Sequence, residues 1–125
     1  MSSLIDTSVL IDHSRGVPAA RRALFDAIDR GALHSSEAVR AELLILIRDR
    51  ELRLIEPLLE AITWHPVDRR VAELAGELGR RWLPAYNGID AADFVIAATA
   101  IHLEAQLLTR NVKHFPMFEG LVAPY

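Results

Sequence analysis

Four acids in this chain sit where its own pattern leaves little water, and any fold it adopts must accommodate them. Asp6 closes the apolar run Leu4-Ile5 and is followed at once by Thr7-Ser8-Val9-Leu10-Ile11. Glu42 and Asp93 fall on the apolar stripes of two helix-patterned segments, and Asp90 stands one turn before Asp93. An unpaired buried carboxylate costs several kcal/mol, a large share of a domain's whole stability margin. The fold must therefore open each acid to water or gather them around a shared neutraliser.

The rest of the chain reads as short strands alternating with helices. Strands are expected at 3–6, 33–34, 63–67, 106–109 and 121–123, with helices at 8–13, 19–30, 36–49, 51–62, 68–82 and 90–103. Pro18 stands like a first-turn proline and Gly31 like a stop. Ser35 or Ser36, and Asp68, are placed to cap the helices that follow them. Pro57 falls inside a helical pattern and is expected to kink it or mark a new start. The segment Leu43–Ile47 makes its helix apolar nearly all round, so the fold or a second subunit should cover it. Such alternation predicts one α/β domain over residues 1–125, with a central, mostly parallel twisted sheet of four to five short strands and helices on both faces. Ligands in such sheets gather beyond the carboxyl ends of the strands, where Asp6 and Thr109 lie.

Composition narrows the chemistry. With no cysteine, thiolate metal sites and cysteine nucleophiles are excluded. No segment has the length and apolarity of a membrane span, and the N-terminus lacks the pattern of a signal peptide, so a cytoplasmic protein is expected. A net charge of −3 argues against a protein that coats nucleic acid by charge alone, though not against an enzyme that acts on it. Paired arginines such as Arg21-Arg22 and Arg80-Arg81 read first as solvated helix faces.

Asp93 shares its helix face with Ile96, Ala97 and Ala100, which points it inward, and Asp90 is its neighbour on that face. Two like charges at that spacing repel, and a cation between them relieves both costs. Each acid also has a plainer reading. Asp90 could simply favour a helix N-terminus, Asp6 could cap the next helix, and Glu42 could reach solvent. Together they suit a hard divalent cation, Mg2+ or Mn2+ rather than zinc, and hence phosphoryl chemistry. The five histidines share no motif; His34 and His65 read as ordinary strand residues, and only His114 lies near the proposed site.

Four segments, 4–12, 39–44, 89–100 and 108–115, have a layout that resembles the PIN-domain ribonucleases, and within them the VapC-type toxins of bacterial toxin–antitoxin pairs. The resemblance implies that Asp6, Glu42 and Asp93 are catalytic metal ligands, with Asp90 an additional one. It implies supporting roles for Ser8, Thr109 and Asn111, and a Mg2+- or Mn2+-dependent endoribonuclease. His114 departs from the pattern, standing where relatives commonly carry an acid, which makes one ion in the free enzyme the expectation. The implied partners are an RNA of the transfer or ribosomal class, a small cognate antitoxin and a second copy in a homodimer. Arg15, Arg110 and Lys113 adjoin the acids and are expected to steer RNA phosphate. Two rivals remain. A phospho-acceptor receiver domain would need an acid pair after its first strand, and a binding-only PIN-like module would normally have lost an acid.

Overall fold

The computed structural model describes all of residues 1–125. Strands β1 (Ser3–Ile5), β2 (Leu33–Ser36), β3 (Thr63–His65) and β4 (Gln106–Leu108) form one wholly parallel sheet in the order β3-β2-β1-β4. Around it run α1 (Thr7–Ser14), α2 (Pro18–Arg30), α3 (Glu37–Leu46), α4 (Asp49–Ala61), α5 (Arg69–Trp82) and α6 (Ala91–Leu103). A 3-10 turn at Val112–His114 follows β4. This is the α/β architecture that the alternation predicts.

Ser3, Leu4 and Ile5 are all at most 1% exposed, although successive strand side chains point to opposite faces. Both faces of β1 are therefore covered. Strand order runs outward from β1 to β3 on one side, and β4 then pairs with β1 on the other. The direction of winding reverses between β1 and β4, which opens a crevice beyond their carboxyl ends.

Helix α6 joins the two parts of the core. Its Ile96, Ala97 and Ala100 pack into the sheet-centred cluster, while Phe94 and Ala98 pack with Val71 and Ala75 of α5. Local capping follows the expected residues: Ser36 Oγ accepts from Ala38 N at 3.1 Å, and Asp68 Oδ1 from Val71 N at 2.9 Å.

Two expectations fail outright, and of the two offered for Pro57 the new helix start is excluded. Leu121–Ala123 forms no strand, and Val122 is 76% exposed. Gly120, at a φ of 76°, and Pro124, which has no N–H to offer a ladder, flank that apolar triplet. Pro57 neither starts nor ends a helix, because α4 runs through it. Pro57 and Arg53 are both exposed, so water can satisfy the carbonyl that the missing N–H leaves free. Finally, α3 ends at Leu46 rather than near Asp49, and the fold buries only its Val39 and Leu43. Leu44, Ile45 and Leu46 remain 52%, 81% and 56% exposed.

Candidate active site

Backbone pairing builds the first half of the site. The register Ile5↔Leu108 sets the next residues, Asp6 and Thr109, side by side, and Asp6 N extends the ladder by donating to Leu108 O at 2.9 Å. Asp6 is then the N-cap residue of α1, only 4% exposed. Thr109 Oγ1 donates to Asp6 Oδ2 at 2.7 Å, and Ser8 Oγ donates to the same oxygen at 3.2 Å. Both hydroxyls thus hold one carboxylate oxygen in place. Asn111 N in turn donates to Thr109 Oγ1 at 3.0 Å, which fixes the hydroxyl's direction.

Two helices supply the other acids. Glu42 projects from α3, with Thr7 Oγ1 3.5 Å from its Oε1. Asp93, in the first turn of α6, accepts from Asp90 N at 3.1 Å through Oδ2, and His114 Nδ1 lies 3.3 Å from that oxygen. Asp90 itself is the exposed N-cap residue of α6. All four acids line one cavity of about 260 Å³, with Ser8, Arg110, Asn111 and His114 around its wall. No three of them close on a common set of ligand distances. Asp6, Glu42 and Asp93 each line the cavity while a local donor engages the carboxylate, whereas the Asp90 carboxylate accepts no side-chain cap bond.

Crowding shows in the acids' affinity for protons. Burial, reinforced by the Asp6, Asp93 and Asp90 carboxylates, raises Glu42 above the usual carboxylate range, against a smaller opposing effect of Thr7. Burial also raises Asp93, partly offset by the Asp90 backbone N–H and by His114. The acids offer only oxygen donors, and their like charges face one cavity. Such a set fits a hard divalent cation.

The substrate-steering residues divide. Arg110 lines the cavity. Arg15 does not: its Nε turns to Glu51 of α4 at 3.3 Å, a partner supplied only by the tertiary fold. Lys113 is exposed and also outside the lining. Thr7 and Asp12 line the cavity without having been singled out from the sequence. Their spacing within 4–12 was the available signal, since Asp12 lies four residues after Ser8 and hence on the same side of α1. His34 and His65 also prove more than ordinary strand residues, with His34 Nδ1 and His65 Nε2 2.8 Å apart across β2 and β3.

Comparison with known proteins identifies the family to which this fold belongs. The PIN domain pattern matches residues 3–116, and the chain belongs to the PIN-domain family, in its VapC branch. It is 46% identical to ribonuclease VapC19 of Mycobacterium tuberculosis over 123 residues, covering 98% of each chain. To ribonuclease VapC10 of the same organism it is 43% identical over 122 residues, covering 98% of this chain and 92% of the relative. Among solved structures, a toxin–antitoxin complex from Klebsiella pneumoniae matches with a TM-score of 0.79 at 27% identity, covering 99% of this chain and 98% of that one.

Proposed function

We propose that this chain is a VapC-type toxin: an endoribonuclease that hydrolyses RNA phosphodiester bonds with Mg2+ or Mn2+ held by Asp6, Glu42, Asp93 and Asp90. One observation carries the metal reading. The nearly buried Asp6 is held by two neutral hydroxyls in a cavity shared with Glu42, Asp90, Asp93 and Asp12, and the arginine on the wall, Arg110, is committed to Asp12. A cluster of this kind is costly unless a cation shares it. When bound, the ion supplies an acidified water and neutralises the non-bridging oxygens of the phosphate.

The chain's own groups supply the rest. Thr109 and Ser8 hold Asp6 Oδ2 and leave Oδ1 to the cavity. His114 and the Asp90 N–H orient Asp93 through Oδ2. His114 stands where the resemblance calls for an acid, which lowers the negative charge of the site and favours one resident ion. Arg110 offers the phosphate a fixed positive group at the cavity wall.

The relatives' names place them as ribonucleases, and a solved neighbour is a toxin–antitoxin complex. We assign the exposed apolar side chains Leu44, Ile45 and Leu46 of α3 and Leu54 of α4 to the small cognate antitoxin. A homodimer acting in the cytoplasm on a transfer or ribosomal RNA completes the reading. No helix is long and apolar enough to cross a membrane. The test is direct: Asp6→Ala and Asp93→Ala should abolish Mg2+-dependent RNA cleavage while keeping the far-UV circular dichroism of the parent. Induced alone in cells, the chain should arrest growth, and co-expressed antitoxin should restore it. Full-rate cleavage by both variants would falsify the assignment of this site.

A further inference from the structure

Beside the acids lies a second constellation that the metal chemistry does not use. Asp12, one turn beyond Ser8 on α1, accepts two hydrogen bonds through the same oxygen: Arg110 Nη1 donates at 2.8 Å and Tyr125 OH at 2.7 Å. The Arg110 guanidinium carbon sits 5.6 Å from the centre of the Tyr125 ring. Three segments, separated by up to 113 residues in sequence, thus meet at one carboxylate.

This assembly is tied to the acids as well. Arg110 N donates to Ser8 Oγ at 3.1 Å, and Ser8 Oγ donates on to Asp6 Oδ2 at 3.2 Å. Arg110 is therefore anchored at its backbone to the centre and at its head to Asp12, while its side chain stays 52% exposed. An arginine carries five N–H donors, and Asp12 engages one of its terminal nitrogens. The others remain available to an anion. A free arginine would have to lose much of its rotamer freedom to bind a phosphate; here the neighbours have already restricted it. Tyr125 is 36% exposed beside it. A guanidinium and an aromatic face presented together suit an unstacked nucleotide, whose phosphate takes the former and whose base lies on the latter.

We propose that Arg110 and Tyr125, joined through Asp12, form the subsite for the nucleotide next to the cleaved bond, Arg110 taking its phosphate and the Tyr125 ring carrying its base. Asp12 acts through these two and is a positioning residue. The inference rests on the nuclease reading and adds to it a base contact that tolerates any sequence.

The test uses a short fluorescein-labelled single-stranded RNA of mixed sequence, followed by anisotropy with calcium in place of magnesium. Tyr125→Leu should weaken binding roughly five- to a hundredfold, the range of one lost base stack, and Tyr125→Phe should recover most of it. Arg110→Gln should weaken binding of all sequences and lower the salt slope by about one. A second probe of the same length without bases needs no variant. The wild-type chain should bind it about as weakly as Tyr125→Leu binds the parent RNA. Equal wild-type affinity for the two probes, or parental affinity and salt slope in both Tyr125→Leu and Arg110→Gln, overturns the proposal. RNA cleavage in magnesium is measured on the same wild-type preparation. If it cleaves while the binding results are flat, only this subsite is lost; if it does not cleave, the nuclease reading is lost independently.

Discussion

The acid cavity and the outer face of α3 and α4 leave opposite kinds of surface unsatisfied. In the cavity, Asp6, Glu42, Asp90 and Asp93 gather from the end of β1, from α3 and from the start of α6, and Ser8, Thr109, the Asp90 N–H and His114 engage Asp6 and Asp93 without cancelling their charge. On α3 and α4, by contrast, Leu44, Ile45 and Leu54 are 52–81% exposed. The first region is costly for electrostatic reasons and the second for hydrophobic ones. A small ion can correct the first, whereas only a large apolar partner can correct the second. The two regions should therefore respond to different perturbations.

The largest separation is expected from Asp93→Ala. It should reduce RNA cleavage by more than about a hundredfold, the scale of a lost catalytic electrostatic contact. Binding of the antitoxin, measured by titration calorimetry, should stay at the parental affinity. The converse variant is Ile45→Asp on the 81%-exposed position. Cleavage should survive, while the antitoxin complex should weaken by roughly thirtyfold or more, as for a hot-spot residue. If Ile45→Asp removes cleavage and spares the complex, the two regions have been assigned the wrong way round.

A subtler break comes from Thr109→Val, nearly isosteric but unable to donate to Asp6 or accept from Asn111 N. Cleavage should fall about 10–100-fold, as when an outer partner of a metal ligand is removed. Stability should fall by about 1–3 kcal/mol because a buried polar partner is lost. Denaturant unfolding and initial rates measure the two separately.

The acids' raised proton affinity gives a pH prediction with a definite sign. Glu42 and Asp93 are raised above their ordinary values, so between the ordinary carboxylate range and the raised values the folded chain binds more protons than the unfolded one. Stability is fully favoured below the unfolded pKa and is lost as pH rises through the folded one. Glu42→Gln should therefore raise the Tm by a few degrees in chelator at neutral pH, and the gain should vanish at acid pH. Mg2+ or Mn2+ should raise the Tm of the parent, since a ligand of the native state alone stabilises it.

The smallest effect belongs to neither region. His65 is lowered from the usual histidine value by burial and then by His34 and His102, so its share of stability is lost as pH falls below that value. His65→Gln should flatten this part of the acid limb slightly in thermal scans. A parental slope in that variant would show that His65 contributes nothing to the acid limb.

Much of this was readable from residue order. The alternation of apolar runs with helical stripes predicted the sheet, and the inward position of Asp93 beside Ile96, Ala97 and Ala100 matches their packing in the main cluster. Capping at Ser36 and Asp68 was equally local. Arg15 shows where such reading stops: proximity in sequence to Asp6 suggested a role at the cavity, but Glu51 draws it elsewhere. Leu121–Ala123 shows the same limit for strands: β4 is an edge of the sheet, and Val122 and Ala123 line a cavity with Leu107 and Leu108 without joining the ladder.

Residue order by itself marked Asp6 and Asp93 as acids costly to bury and set which segments would be helices, because both depend on neighbours within a turn or two of chain. Asp90, singled out with them, stays exposed. Tertiary structure alone decided that Asp6 meets Thr109, that Asp12 receives both Arg110 and Tyr125, and that Leu44, Ile45 and Leu46 of α3 stay bare. Those outcomes depend on strand register and helix docking, which bring together groups about a hundred residues apart, and no local pattern carries that distance.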